Sequence, residues 1–137
     1  MQPPLNELSN ASGGTETILI IEDEESLSRV LQLILSSKGY NVLTAQDGEE
    51  GLEMYRKHQT EIHLVLTDLG LPKVSGEEVV KSIRSINSEA KIIVASGFID
   101  PCLKSELYKM GLKNFIQKPY APDDVVRAIR EALDLPA

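Results

Sequence analysis

The sequence predicts an α/β fold, in which helices cover both faces of a parallel sheet of five strands. Five short segments rich in branched or aromatic residues alternate along the chain with five segments whose apolar residues have helical spacing. The short segments are almost continuously apolar, which is typical of strands buried on both faces. Each right-handed crossover between parallel strands lays its helix against the sheet, and this favours a layered α/β domain.

The predicted strands are the segments TILII, NVLTA, LVLT, KIIVA and KNFIQ, at residues 17–21, 41–45, 64–67, 91–95 and 113–117. The clearest helical segment starts at Glu25 and has Gly39 where a helix would end. Its predicted buried face consists of the apolar residues Leu27, Val30, Leu31, Ile34 and Leu35.

The other four helices are predicted from their first residues. Asp47 and Ser75 each have a glutamate three residues later, which is the capping-box pattern of a helix start. Pro101 and Pro122 stand at the expected first position of the last two helices, where a missing N–H has no cost.

Length and charge limit the function classes. A chain of 137 residues, 42% of them hydrophobic, matches one domain, which we place at residues 17–135. Residues 1–16 are rich in Pro, Ser, Asn and Gly and are predicted to form a flexible tail or linker. A net charge of −7 disfavours direct binding to nucleic acid or to an anionic membrane. With one cysteine, Cys102, and no apolar run of membrane-spanning length, we expect a cytoplasmic protein without membrane insertion.

Polar residues stand at the carboxyl ends of the predicted strands, which is where ligands bind in such folds. Glu22 and Asp23 follow the first strand and Asp68 the third, while Ser96 follows the fourth and Lys118 the fifth. If the first and third strands are neighbours, three carboxylates converge. Their mutual repulsion either raises their pKa values or requires a cation among them.

The donor types at these strand ends indicate a hard divalent ion and a phosphate. An all-oxygen set suits Mg²⁺ or Mn²⁺ better than zinc, and protein-bound Mg²⁺ often also contacts a phosphate oxygen. The Ser96 hydroxyl and the Lys118 ammonium are groups that would neutralise a phosphoryl group. Asp68 could then act as a carboxylate nucleophile that accepts phosphate as an acyl phosphate.

These residues resemble the receiver domain of two-component response regulators, whose type example is the bacterial chemotaxis regulator. The resemblance is carried by ILIIEDEE, LTDLGLPKVSG, IIVASGF and FIQKPY, in that order and each at the end of a strand, and it covers residues 17–135. It implies a flavodoxin-like doubly wound fold with strand order 2-1-3-4-5. It also implies a signalling phosphoacceptor rather than an enzyme in its own right.

The resemblance assigns a role to each matching position. Asp68 would accept the phosphoryl group from a histidine kinase or a histidine phosphotransfer domain. The resemblance implies that Mg²⁺ is held by Glu22, Asp23, Asp68 and the backbone carbonyl of Gly70. Lys118 would bind the phosphate, and Pro119 would follow a cis peptide bond.

The implied output is a change of surface on phosphorylation. Ser96 would move toward the phosphoryl group and Phe115, which stands where a tyrosine is frequent, would turn inward. This would remodel the face of the fourth helix, fifth strand and fifth helix, where the predicted partner-facing residues are Ile99, Leu103, Leu107, Tyr108 and Tyr120. The downstream target is open, as is a weak homodimer through that face.

Two alternatives belong to other classes. The first is an interaction domain that keeps the fold but works without phosphorylation. The second, an aspartyl-nucleophile phosphatase of the haloacid dehalogenase type, is disfavoured because such enzymes carry a second aspartate where this chain has Gly70. The segments preceding Glu22 and around Ser96 and Lys118 are also similar to the C-terminal receiver of hybrid histidine kinases. A stand-alone regulator and a domain of a larger kinase chain both remain open.

Overall fold

The computed structural model describes residues 13–135, in which five strands alternate with five helices. The strands are β1 (Thr17–Ile21), β2 (Asn41–Ala45), β3 (Ile62–Asp68), β4 (Ile92–Ser96) and β5 (Asn114–Gln117). The helices are α1 (Glu25–Ser37), α2 (Gly48–His58), α3 (Gly76–Ile86), α4 (Pro101–Lys109) and α5 (Pro122–Asp134). All strand pairs are parallel, and the order is β2-β1-β3-β4-β5. The predicted flavodoxin-like fold is confirmed.

The core has two layers because successive residues of a buried strand point to opposite faces of the sheet. Leu19 and Val65 belong to one apolar cluster together with residues of α2 and α3. Ile20 and Leu66 belong to a second cluster together with residues of α1 and α5. Both faces of β1 and β3 are therefore buried, which explains why their sequences are apolar without alternation.

The predicted helix starts are confirmed. The Asp47 carboxylate accepts a hydrogen bond of 2.8 Å from the Glu50 N–H, and the Ser75 hydroxyl accepts one of 3.2 Å from the Glu78 N–H. Pro101 and Pro122 are the first residues of α4 and α5.

The buried face of α1 differs from the prediction at one position. Leu31 and Leu35 are buried, but the Val30 side chain is 46% exposed. The helix packs through a stripe centred between Leu31 and Leu35, and Val30 lies about a third of a turn away from it at 100° per residue. The five predicted residues cover a wider arc of the helix surface than the part that packs against the sheet.

The last four residues of the predicted linker contact the domain. Residues 1–12 of the predicted linker lie outside the described residues, but residues 13–16 pack against the domain. The Gly14 N–H donates to the Lys38 carbonyl at 3.2 Å, and the Arg130 guanidinium donates to the Gly13 carbonyl and to both carboxylate oxygens of Glu16. A Cβ atom on Gly13 would overlap the Lys38 carbonyl oxygen. The glycines here allow close backbone approach.

The Glu16–Arg130 pair predicts a pH-dependent contribution to stability. The Arg130 hydrogen bond lowers the pKa of Glu16 from 4.5 to about 2. A carboxyl group that is more acidic in the folded state stabilises the fold above its unfolded-state pKa, and loses that contribution as the pH falls through the folded-state pKa. We expect Glu16→Gln to lower the free energy of unfolding by about 1 kcal/mol at neutral pH, because the pair is partly solvated.

We expect the difference in the free energy of unfolding between Glu16→Gln and the wild type to become smaller as the pH falls from 4.5 toward about 2. Urea unfolding of both proteins over a pH series measures it, with Glu53→Gln as an exposed-carboxyl control. A difference that stayed constant over that range would show that the Glu16 charge contributes nothing.

Within residues 13–135, no helix combines the length and the apolar character needed to cross a membrane.

Candidate functional site

The sheet order brings the acidic residues of two strands together. β1 and β3 are neighbours, with Ile21 paired to Thr67, so Glu22 and Asp23 emerge beside Asp68. One carboxylate oxygen from each of the three residues lies within 4.8 Å of the others. The predicted convergence of Glu22, Asp23 and Asp68 is thus present in the structure.

Lys118 completes this cluster from the end of β5. Its Nζ atom lies 2.9 Å from Glu22 Oε1 and 3.2 Å from Asp68 Oδ2. The peptide bond between Lys118 and Pro119 is cis, as the resemblance implies. The chain turns here from β5 toward α5, and the turn places the ammonium group between the two carboxylates.

Burial and charge act in opposite directions on the two partners. Glu22 is 5% exposed, and this burial raises its pKa, against the lowering effect of the Lys118 hydrogen bond. For Lys118, burial works to lower the pKa, but the hydrogen bond and charge of Glu22, with a contribution from Asp68, outweigh it and the pKa is raised. Lys118 is therefore a cation at neutral pH.

The donor set fits a hard divalent ion. Three carboxylates lie together here, and one ammonium group contacts two of them, so acidic groups outnumber the basic group at this edge of the sheet. The carboxylates offer oxygen ligands alone, which Mg²⁺ and Mn²⁺ prefer. Gly70, the fourth predicted ligand, is exposed in the loop that follows Asp68.

Thr67 and Gly76, which no motif in the sequence singled out, hold the backbone at Asp68. The buried Thr67 hydroxyl donates to the Asp68 carbonyl oxygen at 3.0 Å. The Gly76 N–H at the start of α3 donates to the Leu69 carbonyl at 2.9 Å, and a Cβ atom on Gly76 would overlap the Asp68 carbonyl oxygen. The sequence signals were a single hydroxyl in an apolar strand and a glycine after a capping serine.

Ser96, which the resemblance implies would move toward the phosphoryl group, is hydrogen-bonded within its own loop in this structure. The Ser96 hydroxyl donates to the Phe98 carbonyl at 2.6 Å and accepts from the Phe98 N–H at 3.2 Å. Both hydrogen bonds of the hydroxyl are thus made to backbone groups two residues further along the same loop.

The predicted aromatic switch lies beside a cavity. The Phe115 ring centroid is 5.6 Å from that of Tyr108 and 5.4 Å from the Lys104 ammonium. Ser96 and Phe115 both line a cavity of about 370 Å³ between β5 and the start of α4. The two predicted switch residues therefore share one open space.

The predicted output residues divide by exposure. Tyr108 is 51% exposed, and Ile99, Leu103 and Tyr120 are partly buried. Leu107 is completely buried within the apolar cluster beneath α4, so its prediction as a partner-facing residue is wrong. It lies one turn from Leu103 on the inner side of α4 and anchors that helix to the domain.

The comparison with known families agrees with the geometry. The family model of the response regulator receiver domain matches residues 18–130. The chain belongs to the response regulator receiver domain family. This receiver is 34% identical over 115 residues to the chemotaxis protein CheY of Thermotoga maritima, covering 83% of this chain and 94% of that protein.

Other similar proteins include a longer regulator and a receiver solved in a complex. It is 35% identical over 118 residues to the probable transcriptional regulator ycf27 of Porphyridium aerugineum, covering 86% of this chain and 48% of that protein. The chain thus spans about half the length of the first curated relatives that it matches. A CheX–CheY–BeF3–Mg²⁺ complex from Borrelia burgdorferi matches with a TM-score of 0.81 and 28% identity, covering 88% of this chain and 90% of that one.

Family membership fixes the general role. Receiver domains are signalling proteins of two-component systems, in which they interact with histidine kinases and phosphotransfer partners. They generally bind Mg²⁺, and the acidic cluster of this receiver has the donor set for it.

Proposed function

We propose that this receiver takes a phosphoryl group from a phosphohistidine onto Asp68, in the presence of Mg²⁺, and then changes its output face. One observation carries the proposal: Glu22, Asp23, Asp68 and Lys118 converge at one edge of the sheet. Carboxylates and an ammonium in this arrangement supply a nucleophile, metal ligands and a counter-charge for phosphate.

The transfer is a displacement at phosphorus. A carboxylate oxygen of Asp68 attacks the phosphorus atom, the P–N bond to the donor imidazole breaks, and its electron pair stays on the imidazole nitrogen. The product on Asp68 is an acyl phosphate, and Lys118 compensates part of its negative charge. Glu22, Asp23, Asp68 and the Gly70 carbonyl would hold Mg²⁺ or Mn²⁺, which when bound supplies charge neutralisation at the phosphoryl oxygens.

The proposed switch uses the cavity beside Phe115. The Ser96 hydroxyl exchanges its bond to the Phe98 carbonyl for one to a phosphoryl oxygen, and the β4–α4 loop follows it. Phe115 then turns into the space that it lines together with Ser96. The surface of α4, β5 and α5 changes as a result, and its exposed residue Tyr108 meets a protein partner.

The test is intact-protein mass spectrometry after incubation with acetyl phosphate and Mg²⁺, with Asp68→Asn as the paired variant. We expect one phosphoryl adduct on the wild type, none on Asp68→Asn, and none on either protein in the presence of EDTA. Asparagine keeps the size of the side chain but lacks the carboxylate nucleophile.

Two outcomes would overturn the proposal. An adduct that persists in Asp68→Asn would place the acceptor elsewhere. No adduct on the wild type, together with no Mg²⁺-dependent binding of beryllofluoride, would mean that the domain acts by protein contact without phosphorylation.

A further inference from the structure

We infer that Thr67 is a positioning residue for phosphoryl transfer, because its hydroxyl fixes the peptide group that orients the acceptor Asp68. The inference rests on the proposed function of Asp68. It gives a role to a buried polar group that neither the metal cluster nor the switch uses.

Thr67 is unusual within its strand. Within residues 13–135, Thr67 and Glu22 are the two buried residues of polar or charged type, and Thr67 is 0% exposed. Its partners in the sheet are the apolar residues Ile21 on β1 and Val94 on β4. The hydroxyl thus lies in surroundings where a polar group is unfavourable unless it is hydrogen-bonded.

Packing alone does not account for a hydroxyl at this position. Valine has nearly the same shape as threonine, is also favoured in β-strands and has no hydroxyl to desolvate. The bond that the structure shows for the Thr67 hydroxyl is to the Asp68 carbonyl oxygen, at 3.0 Å. The group that the hydroxyl binds therefore belongs to the acceptor residue itself.

The peptide group after Asp68 is held from three directions. The Thr67 hydroxyl donates to the carbonyl oxygen of this peptide group, which is that of Asp68. The N–H of the same peptide group, which belongs to Leu69, donates to the Ala95 carbonyl at 3.4 Å. The Gly76 backbone lies against the Asp68 carbonyl oxygen. The plane of this peptide sets the ψ angle of Asp68. The ψ angle in turn fixes the position of the Asp68 carboxylate, which lies beside Lys118, relative to the backbone that continues toward Gly70.

This geometry matters for the rate of transfer more than for folding. Displacement at phosphorus requires the attacking oxygen in line with the bond that breaks, and small displacements of a reacting group are costly in rate. Loss of the Thr67 hydroxyl removes one of the three contacts that hold the Asp68 carbonyl and so loosens its orientation. We expect Thr67→Val to slow phosphorylation about tenfold while leaving the fold intact.

The experiment compares three variants with the wild type. Thr67→Val removes the hydroxyl and keeps the shape, and Thr67→Ser keeps the hydroxyl and loses the methyl group. Thr17→Val makes the same threonine-to-valine change at the first residue of β1, at the edge of the sheet opposite to Asp68. The rate of adduct formation is measured by intact mass at several Mg²⁺ concentrations with acetyl phosphate, and the urea midpoint is measured for each protein.

The expected pattern separates positioning from packing. Thr67→Val should have a urea midpoint equal to or above that of the wild type and a reduced rate at saturating Mg²⁺. Thr67→Ser should keep a rate close to that of the wild type, as should Thr17→Val.

Three results would overturn the inference. A wild-type rate in Thr67→Val would show that the hydroxyl has no role in the transfer. Equal slowing of Thr67→Val and Thr67→Ser would assign the effect to the lost packing of the methyl group. No adduct on the wild type, together with no Mg²⁺-dependent binding of beryllofluoride, would instead overturn the assignment of Asp68 as acceptor, and with it any role of Thr67 in that transfer.

Discussion

Replacing Lys118 with methionine is expected to slow phosphoryl uptake about a hundredfold, the usual cost of removing one charge-stabilising donor from a transfer site. The Lys118 ammonium lies 3.2 Å from Asp68 Oδ2, so it is placed to compensate charge on the acyl phosphate. Methionine keeps much of the length of the side chain and its apolar stem without the charge. The measurement is the rate of adduct formation from acetyl phosphate at saturating Mg²⁺.

The same variant is expected to be less stable without Mg²⁺. Glu22 is 5% exposed and Lys118 bonds to it at 2.9 Å, so the substitution leaves a buried carboxylate without its cation. We expect a loss of about 2 kcal/mol in the free energy of unfolding at neutral pH, less than for a fully buried pair because Lys118 is partly exposed.

The loss in Lys118→Met should depend on pH and on metal. Burial already raises the pKa of Glu22, and removal of Lys118 takes away the largest opposing effect, so the pKa rises further. A carboxyl group with a raised folded-state pKa destabilises the fold above that pKa, and this penalty fades as the pH falls and the group is protonated. Mg²⁺ should likewise restore stability because it replaces the missing positive charge.

Lys113→Met, an exposed lysine just before β5, is the matched control and should leave both stability and adduct rate unchanged. If Lys118→Met were as stable as the wild type in EDTA and accepted phosphate at the same rate, the proposed role of Lys118 would be wrong.

The positions of Asp23, Asp68 and Lys118 could be predicted because they depend on topology alone. Each residue lies at the end of a strand or within two residues of it, and the carboxyl ends of parallel strands share one edge of the sheet. Their proximity therefore does not require knowledge of any side-chain conformation. The cis bond at Pro119 was predictable in another way, from the matching lysine–proline pair of the family.

Other features depend on side-chain conformation or on distant contacts. The bond of the Ser96 hydroxyl to the Phe98 carbonyl depends on the side-chain rotamer and on the path of the loop, which no sequence pattern determines. Leu107 and Val30 are apolar residues on amphipathic helices, and periodicity identifies a face without fixing which edge of it is covered. The pair between Glu16 and Arg130 joins residues 114 positions apart, which no local pattern indicates.

Gly76→Ala is expected to destabilise the domain by about 2–3 kcal/mol, as overpacking of a close contact does. A Cβ atom at Gly76 would overlap the Asp68 carbonyl oxygen and lie 2.5 Å from the Leu69 Cα atom. Both neighbours are backbone atoms, so relief requires movement of the loop that carries the acceptor. Intrinsic helix propensity acts in the opposite direction, since alanine is the better helix former.

Gly97→Ala is the matched control because a Cβ atom there would meet nothing within 4 Å. Urea unfolding of both variants gives the stability difference, and the adduct rate shows whether the displaced loop also misplaces Asp68. We expect Gly97→Ala to be close to the wild type in stability, and Gly76→Ala to lose both stability and rate. If Gly76→Ala were more stable than the wild type, helix propensity would outweigh the contact, and the approach of α3 to Asp68 would have no part in holding the acceptor.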